Sequence, residues 1–136
     1  MKGGKVFTRL DYERINRLIQ ESKSDSPAER LTIRKLKEAL THCKPIEPRK
    51  VKSNVVTMNS KFSLKNIGNG MKETYSLVYP QDCDGSRDKL SILSMIGAEA
   101  LGSAIGTIIK ADAGSEQYYL IEDILYQPEA AGHHHL

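Results

Sequence analysis

The chain predicts an α+β protein: a short antiparallel helical hairpin followed by a twisted, mostly antiparallel sheet with one short helix. Three observations predict it. Apolar residues recur at helical spacing through the first third of the sequence. A charged stretch with two prolines, Lys44-Pro-Ile-Glu-Pro-Arg-Lys-Val-Lys52, then interrupts that pattern. Beyond it the period falls to two, with Gly-rich turns between short apolar runs.

The first helix is predicted over residues 9–22. Asp11 can cap it, and Ile15, Leu18, Ile19 and Ser22 form one stripe. Lys23-Ser-Asp-Ser26 interrupts the pattern. Ser26-Pro-Ala-Glu29 then supplies a helix start, with Ser26 as N-cap, Pro27 in the first turn and Glu29 able to complete a capping box. The second helix turns Leu31 or Ala28, Ile33, Leu36, Ala39, Leu40 and Cys43 inward, and it stops before Pro45. At ~1.5 Å per residue each helix is about 20 Å long.

In the second part, residues 55–58 read as a strand, and Lys61-Phe-Ser-Leu-Lys65 alternates with Phe62 and Leu64 on one face. Ile67-Gly-Asn-Gly70 is a hairpin turn, and residues 72–79 form the returning strand. A polar loop spans 81–89. Residues 90–93 read as a strand and 97–101 as a short helix, with Ser94 as its N-cap and Gly102 as its stop. Strands at 107–111 and 117–126 flank an Ala113-Gly114 turn. The chain therefore divides into a hairpin with its linker, residues 1–49, and a second domain, residues 50–136.

Composition narrows the function. With 39% hydrophobic and 27% charged residues, and neither a long apolar run nor a signal-peptide pattern, the chain reads as a soluble cytoplasmic protein without a membrane partner. Cys43 and Cys83 form no metal or redox spacing. Residues 1–52 carry fourteen Lys and Arg against seven Asp and Glu; residues 53–136 carry six against ten. The resulting +7 and −4 combine to the net +3, so the front is basic and the back acidic.

Chemistry is sparse. No Gly-rich phosphate loop follows a strand, His42 sits at a charged helix end, and no Ser or Cys has a nucleophile's context. His133-His-His135 reads as a terminal tail rather than a metal site. The chain is expected to be neither an enzyme nor a holder of cofactor or metal. Its basic residues lack the interleaved aromatics of a direct nucleic-acid binder.

Four segments carry a family likeness: Val55-Val-Thr-Met-Asn-Ser60, Ser76-Leu-Val-Tyr-Pro80, Ser91-Ile-Leu-Ser-Met-Ile-Gly-Ala-Glu-Ala-Leu-Gly102 and Tyr126-Gln-Pro-Glu-Ala130. With them, roughly residues 53–130 resemble the C-terminal domain of the bacterial transcript-cleavage factors GreA and GreB. The likeness is strongest to their small branch, the regulators of nucleoside diphosphate kinase. In the first third the match is one of architecture alone. The resemblance implies an FKBP-like fold for the second domain and RNA polymerase as partner, with DNA contacted only through the polymerase complex. A prolyl-isomerase reading of that fold needs an aromatic pocket, and the chain has no Trp and two Phe.

The resemblance also implies site residues. In Gre factors a Ser-Pro-Ile loop before the short helix belongs to the polymerase-docking surface. Ser94, Met95 and Ile96 occupy the matching positions, with Met95 in place of the usual Pro, and Leu90 leads into them. Gre factors also present acidic residues at a long coiled-coil tip, where they help hold the Mg²⁺ that drives RNA cleavage. Here the tip offers Asp25 and Glu29, flanked by Lys23 and Arg30, on a much shorter hairpin. The pattern implies a monomeric elongation regulator that docks at the secondary-channel entrance and competes with Gre factors without stimulating cleavage. Two alternatives remain: a regulator of nucleoside diphosphate kinase acting by contact or expression, and a cleavage-competent Gre-like factor.

Overall fold

The computed structural model describes residues 5–21, 26–83, 88–112 and 116–132. Two helices, α1 (Arg9–Glu21) and α2 (Pro27–Thr41), form the hairpin. Strands β1 (Lys61–Asn66) and β2 (Lys72–Val78) follow, then β3 (Lys89–Ser91), the short helix α3 (Met95–Ala100), β4 (Ile108–Asp112) and β5 (Glu116–Tyr126). The sheet runs β3-β2-β1-β5-β4. Every pairing is antiparallel except β2 with β3. The α+β architecture expected from the pattern is the one observed.

The local starts follow sequence chemistry. Ser26 caps α2 and accepts from the Glu29 amide at 3.4 Å, with Pro27 in the first turn. The cap of α1 differs from the expectation. Thr8 accepts from the Asp11 amide at 3.1 Å, which leaves Asp11 inside the first turn and 1% exposed. Its carboxylate instead accepts from the Met58 amide at 3.1 Å, so it ties the hairpin to the sheet domain. The inward stripe of α2 also shifts: Leu36 and Leu40 are buried as expected, but Leu31 is 43% exposed and Thr32 takes the inward position. Thr32 lies four residues before Leu36, so helical geometry places it in line despite its hydroxyl.

Residues 55–58 do not form the expected strand; only a Val55–Ala104 bridge remains. The segment folds back at Asn59, whose φ is +68°, because the Ser60 hydroxyl accepts from the Thr57 amide at 2.9 Å. Such local side-chain bonds compete with a strand ladder. The segment is nonetheless buried, and Val56 and Met58 are wholly inside.

One core runs through hairpin and sheet. Phe7, Ile15, Leu36 and Leu40 from the first fifty residues pack with Met58, Phe62, Leu64, Leu77, Ile92, Leu101 and Ile121. The segment before α1 is fixed as well. Lys5 donates to the carbonyls of Ala98 and Glu99 at 2.8 and 2.7 Å, at the C-terminal end of α3, where a cation is favoured. The Val6 amide donates to Gly102, and Phe7 and Arg9 bridge to Ile46. The core therefore crosses residues 49 and 50, where the sequence pattern changes.

Candidate partner-docking site

Leu90, Ser94, Met95 and Ile96 come together at the turn from β3 into α3. β3 is an edge strand held in parallel to β2, with Leu90 opposite Leu77. From there the chain turns sharply. The Ser94 hydroxyl donates to the Ser91 carbonyl at 2.6 Å and accepts from the Gly97 amide at 3.1 Å. Ser94 is thus the N-cap that the sequence predicts, and α3 begins one residue later. Leu90 and Ile96 are half-buried against the core; Met95 is half-buried between core and solvent. The turn presents a mixed apolar surface on a backbone fixed at both ends. Ser94→Ala should lower stability by about 1–2 kcal/mol, read as a shift in the urea midpoint, since it removes the cap. An unchanged midpoint would mean that the turn holds without it.

The hairpin-tip carboxylates are not brought to this turn by any contact described. Glu29 sits in the first turn of α2, and Asp25 lies outside the described residues, as do Lys23 and the His133–His135 tract. Lys35 on α2 pairs with Glu99 on α3 at 3.7 Å, which links the hairpin to the candidate surface.

A buried polar cluster escaped the sequence reading. The Thr57 hydroxyl donates to Glu129 at 2.6 Å and meets the Ser60 hydroxyl at 2.9 Å, while Gln127 donates to the carbonyls of Lys52 and Val55 at 2.8 and 2.7 Å. Two of the motif segments, 55–60 and 126–130, are therefore halves of one clasp. Asp11 lies beside it. Burial, and secondarily the charge of Glu129, raise its pKa to about 7 against the opposing Met58 hydrogen bond. One of its oxygens is buried without a hydrogen-bond partner. Burial likewise pushes the Tyr79 phenol well above its ordinary value. The available signal was periodic: Asp11 falls four residues before Ile15, on the same stripe.

Among the described residues, no group of three His, Cys, Asp or Glu is placed to hold a metal ion, and both cysteines are free thiols. None of the described helices is long and apolar enough to cross a membrane.

The candidate site is thus a half-buried, capped turn on a small α+β scaffold. Residues 51–126 match the family model described as transcription elongation factor, GreA/GreB, C-term, and the chain belongs to that family. It is 30% identical over 129 residues to the regulator of nucleoside diphosphate kinase of Escherichia coli K12, covering 93% of each chain. It is also 30% identical over 92 residues to the transcription elongation factor GreA of Amoebophilus asiaticus, covering 66% of this chain and 59% of that one. A solved structure, a prokaryotic transcription elongation factor GreA/GreB from Nitrosomonas europaea, superposes with a TM-score of 0.75 at 28% identity. That match covers 92% of this chain and all of the other. These relatives carry the names of regulators and elongation factors.

Proposed function

We propose that this protein is a non-enzymatic regulator of transcription elongation that binds RNA polymerase at the entrance of its secondary channel. The β3–α3 turn docks through Leu90, Ser94, Met95 and Ile96, and the basic hairpin points towards the channel. The supporting observation is a combination. A family C-terminal domain at residues 51–126 stands beside a hairpin whose helices have only 13 and 15 residues. At ~1.5 Å per residue that hairpin spans about 20 Å, too short for the reach of a cleavage factor's coiled coil. Docking without reach gives occupancy without catalysis.

Met95 is the cleanest probe, because it is half-buried and outside the core cluster. Met95→Glu should leave the protein folded and weaken polymerase binding by about 2 kcal/mol, roughly thirtyfold in Kd by surface plasmon resonance. Unaltered affinity in a folded variant would remove Met95 from the interface.

A second reading has one specific support, the name of the Escherichia coli relative. A direct regulator of nucleoside diphosphate kinase would co-purify with that kinase and leave polymerase activity untouched. A pull-down from bacterial lysate read by mass spectrometry separates the two.

A further inference from the structure

At the turn end of the β1–β2 hairpin, the core-facing side of the sheet carries a small cavity of about 80 Å³. Strand register explains its walls. Leu64 on β1 stands opposite Glu73 on β2 and Ile121 on β5. Phe62 and Asn66, the next residues on that face, stand opposite Tyr75 and Tyr119. Cross-strand partners share a face, so Leu64, Glu73, Tyr75 and Tyr119 all turn the same way. Leu64, 2% exposed, is the floor, and Met71, 62% exposed, is part of the rim.

The cavity is rich in acceptors. None of the described side chains that line it is cationic. Tyr75 donates its hydroxyl proton to Glu73, and Tyr119 donates to Gln117 at 2.7 Å. Burial, and then the Glu73 hydrogen bond, raise the Tyr75 pKa to about 12, so its proton stays in place. What both phenols still offer is oxygen lone pairs and ring surface. Among the described residues, the Tyr75 hydroxyl is the only partner of the exposed Glu73 carboxylate. Its neighbour Lys72 is on the other face of the sheet, where it pairs with Glu122 at 3.1 Å. The volume suits the end of one side chain and is well under the ~300 Å³ of a small-molecule pocket.

We propose that this cavity receives a lysine side chain of a partner protein. The ammonium meets Glu73 and the phenol oxygens, and its methylene stem packs on the two rings. Apolar residues beside that lysine cover Met71 and Ile67, which is 48% exposed in the same turn. A compact ammonium fits where the broader, planar fork of arginine does not. Glu73 lies five residues before Val78, which pairs with β3, so roughly 16 Å of strand separates them. The site is therefore distinct from the β3–α3 turn.

The test is a ¹⁵N chemical-shift titration of the full chain with three probes: a blocked Gly-Leu-Lys-Leu-Gly peptide, the same peptide with acetyl-lysine, and spermidine. The lysine peptide should shift the amides of Leu64, Glu73, Tyr75 and Tyr119 saturably. The acetyl-lysine peptide should bind at least roughly fivefold more weakly, as loss of one exposed charge pair predicts. Glu73→Gln should weaken the lysine peptide by a similar factor. Glu122→Gln removes the same charge from the opposite face and should leave its affinity unchanged, with circular dichroism confirming that both variants are folded. Absence of saturable shifts at these residues, equal affinity for the two peptides, or equal weakening by the two variants would overturn the proposal. Tighter binding of spermidine at the same amides would also overturn it, and would assign the cavity to a free polyamine.

Discussion

Gly97→Ala should cost about 3 kcal/mol or more of folding stability and lower the melting temperature by roughly 10 °C. An added Cβ at Gly97 would stand 2.2 Å from the Ser91 carbonyl oxygen, 2.9 Å from the Ser94 hydroxyl and 3.1 Å from Leu77. The carbonyl is backbone, and it is already committed: it accepts from the Ser94 amide at 3.0 Å and from the Ser94 hydroxyl at 2.6 Å. It cannot retreat without opening the cap of α3. Alanine's helical preference returns only ~1 kcal/mol. Gly106→Ala is the contrast. Its φ is +94° with nothing near the new Cβ, so left-handed strain of ~1–2 kcal/mol is the whole expected cost. Chemical denaturation of both variants checks this. A Gly97→Ala variant within ~0.5 kcal/mol of the parent would mean that the turn is not rigid.

Asp11 should make the protein less stable as pH rises from about 4 to about 7. Its folded pKa, about 7, lies above the ordinary carboxyl value of 3.8. Between those values the native state holds a proton that the unfolded chain has lost, so unfolding releases one proton and stability falls with rising pH. The contribution is fully present below about 4 and gone above about 7. Three pH units bound the effect at about 4 kcal/mol. Asp11→Asn keeps an oxygen for the Met58 amide and removes the charge. It should abolish this part of the pH slope and raise stability at pH 8 by about 2–4 kcal/mol. Urea midpoints of parent and variant across pH 4–8 measure it. Equal slopes would show that Asp11 is solvated or neutralised in the native state.

Helices and β-hairpin were legible because their signals are local. Ser26-Pro-Ala-Glu29 marked one helix start, Ser94 another, and the alternation of Phe62 and Leu64 set the buried face of β1. What escaped was long-range or polar. Segment 55–58 has strand composition, yet the Ser60 hydroxyl folds it back and Gln127 and Glu129 hold it from across the chain. Nothing near Phe7 or Lys5 announces a core residue or the holder of α3. The parallel pairing of β3 with β2 is likewise invisible in a three-residue strand. The turn bearing Ser94, Met95 and Ile96 was found through its motif; periodicity alone reads it as a cap and two half-buried side chains.

The most direct test of the proposed role is a titration into a stalled, backtracked elongation complex with Mg²⁺ and a Gre factor, following the length of the transcript's 3′ end. Added alone, the protein should leave cleavage at the polymerase's intrinsic rate, and Asp25→Asn should behave like the parent. Added with the Gre factor, it should lower stimulated cleavage along a one-site competition curve that more Gre factor reverses. The inhibition should weaken with salt, because exposed charges are screened beyond about 8 Å at physiological ionic strength. Stimulated cleavage by the protein alone, lost in Asp25→Asn, would make it a cleavage factor. Undiminished Gre-stimulated cleavage, with polymerase binding confirmed, would contradict a shared docking site.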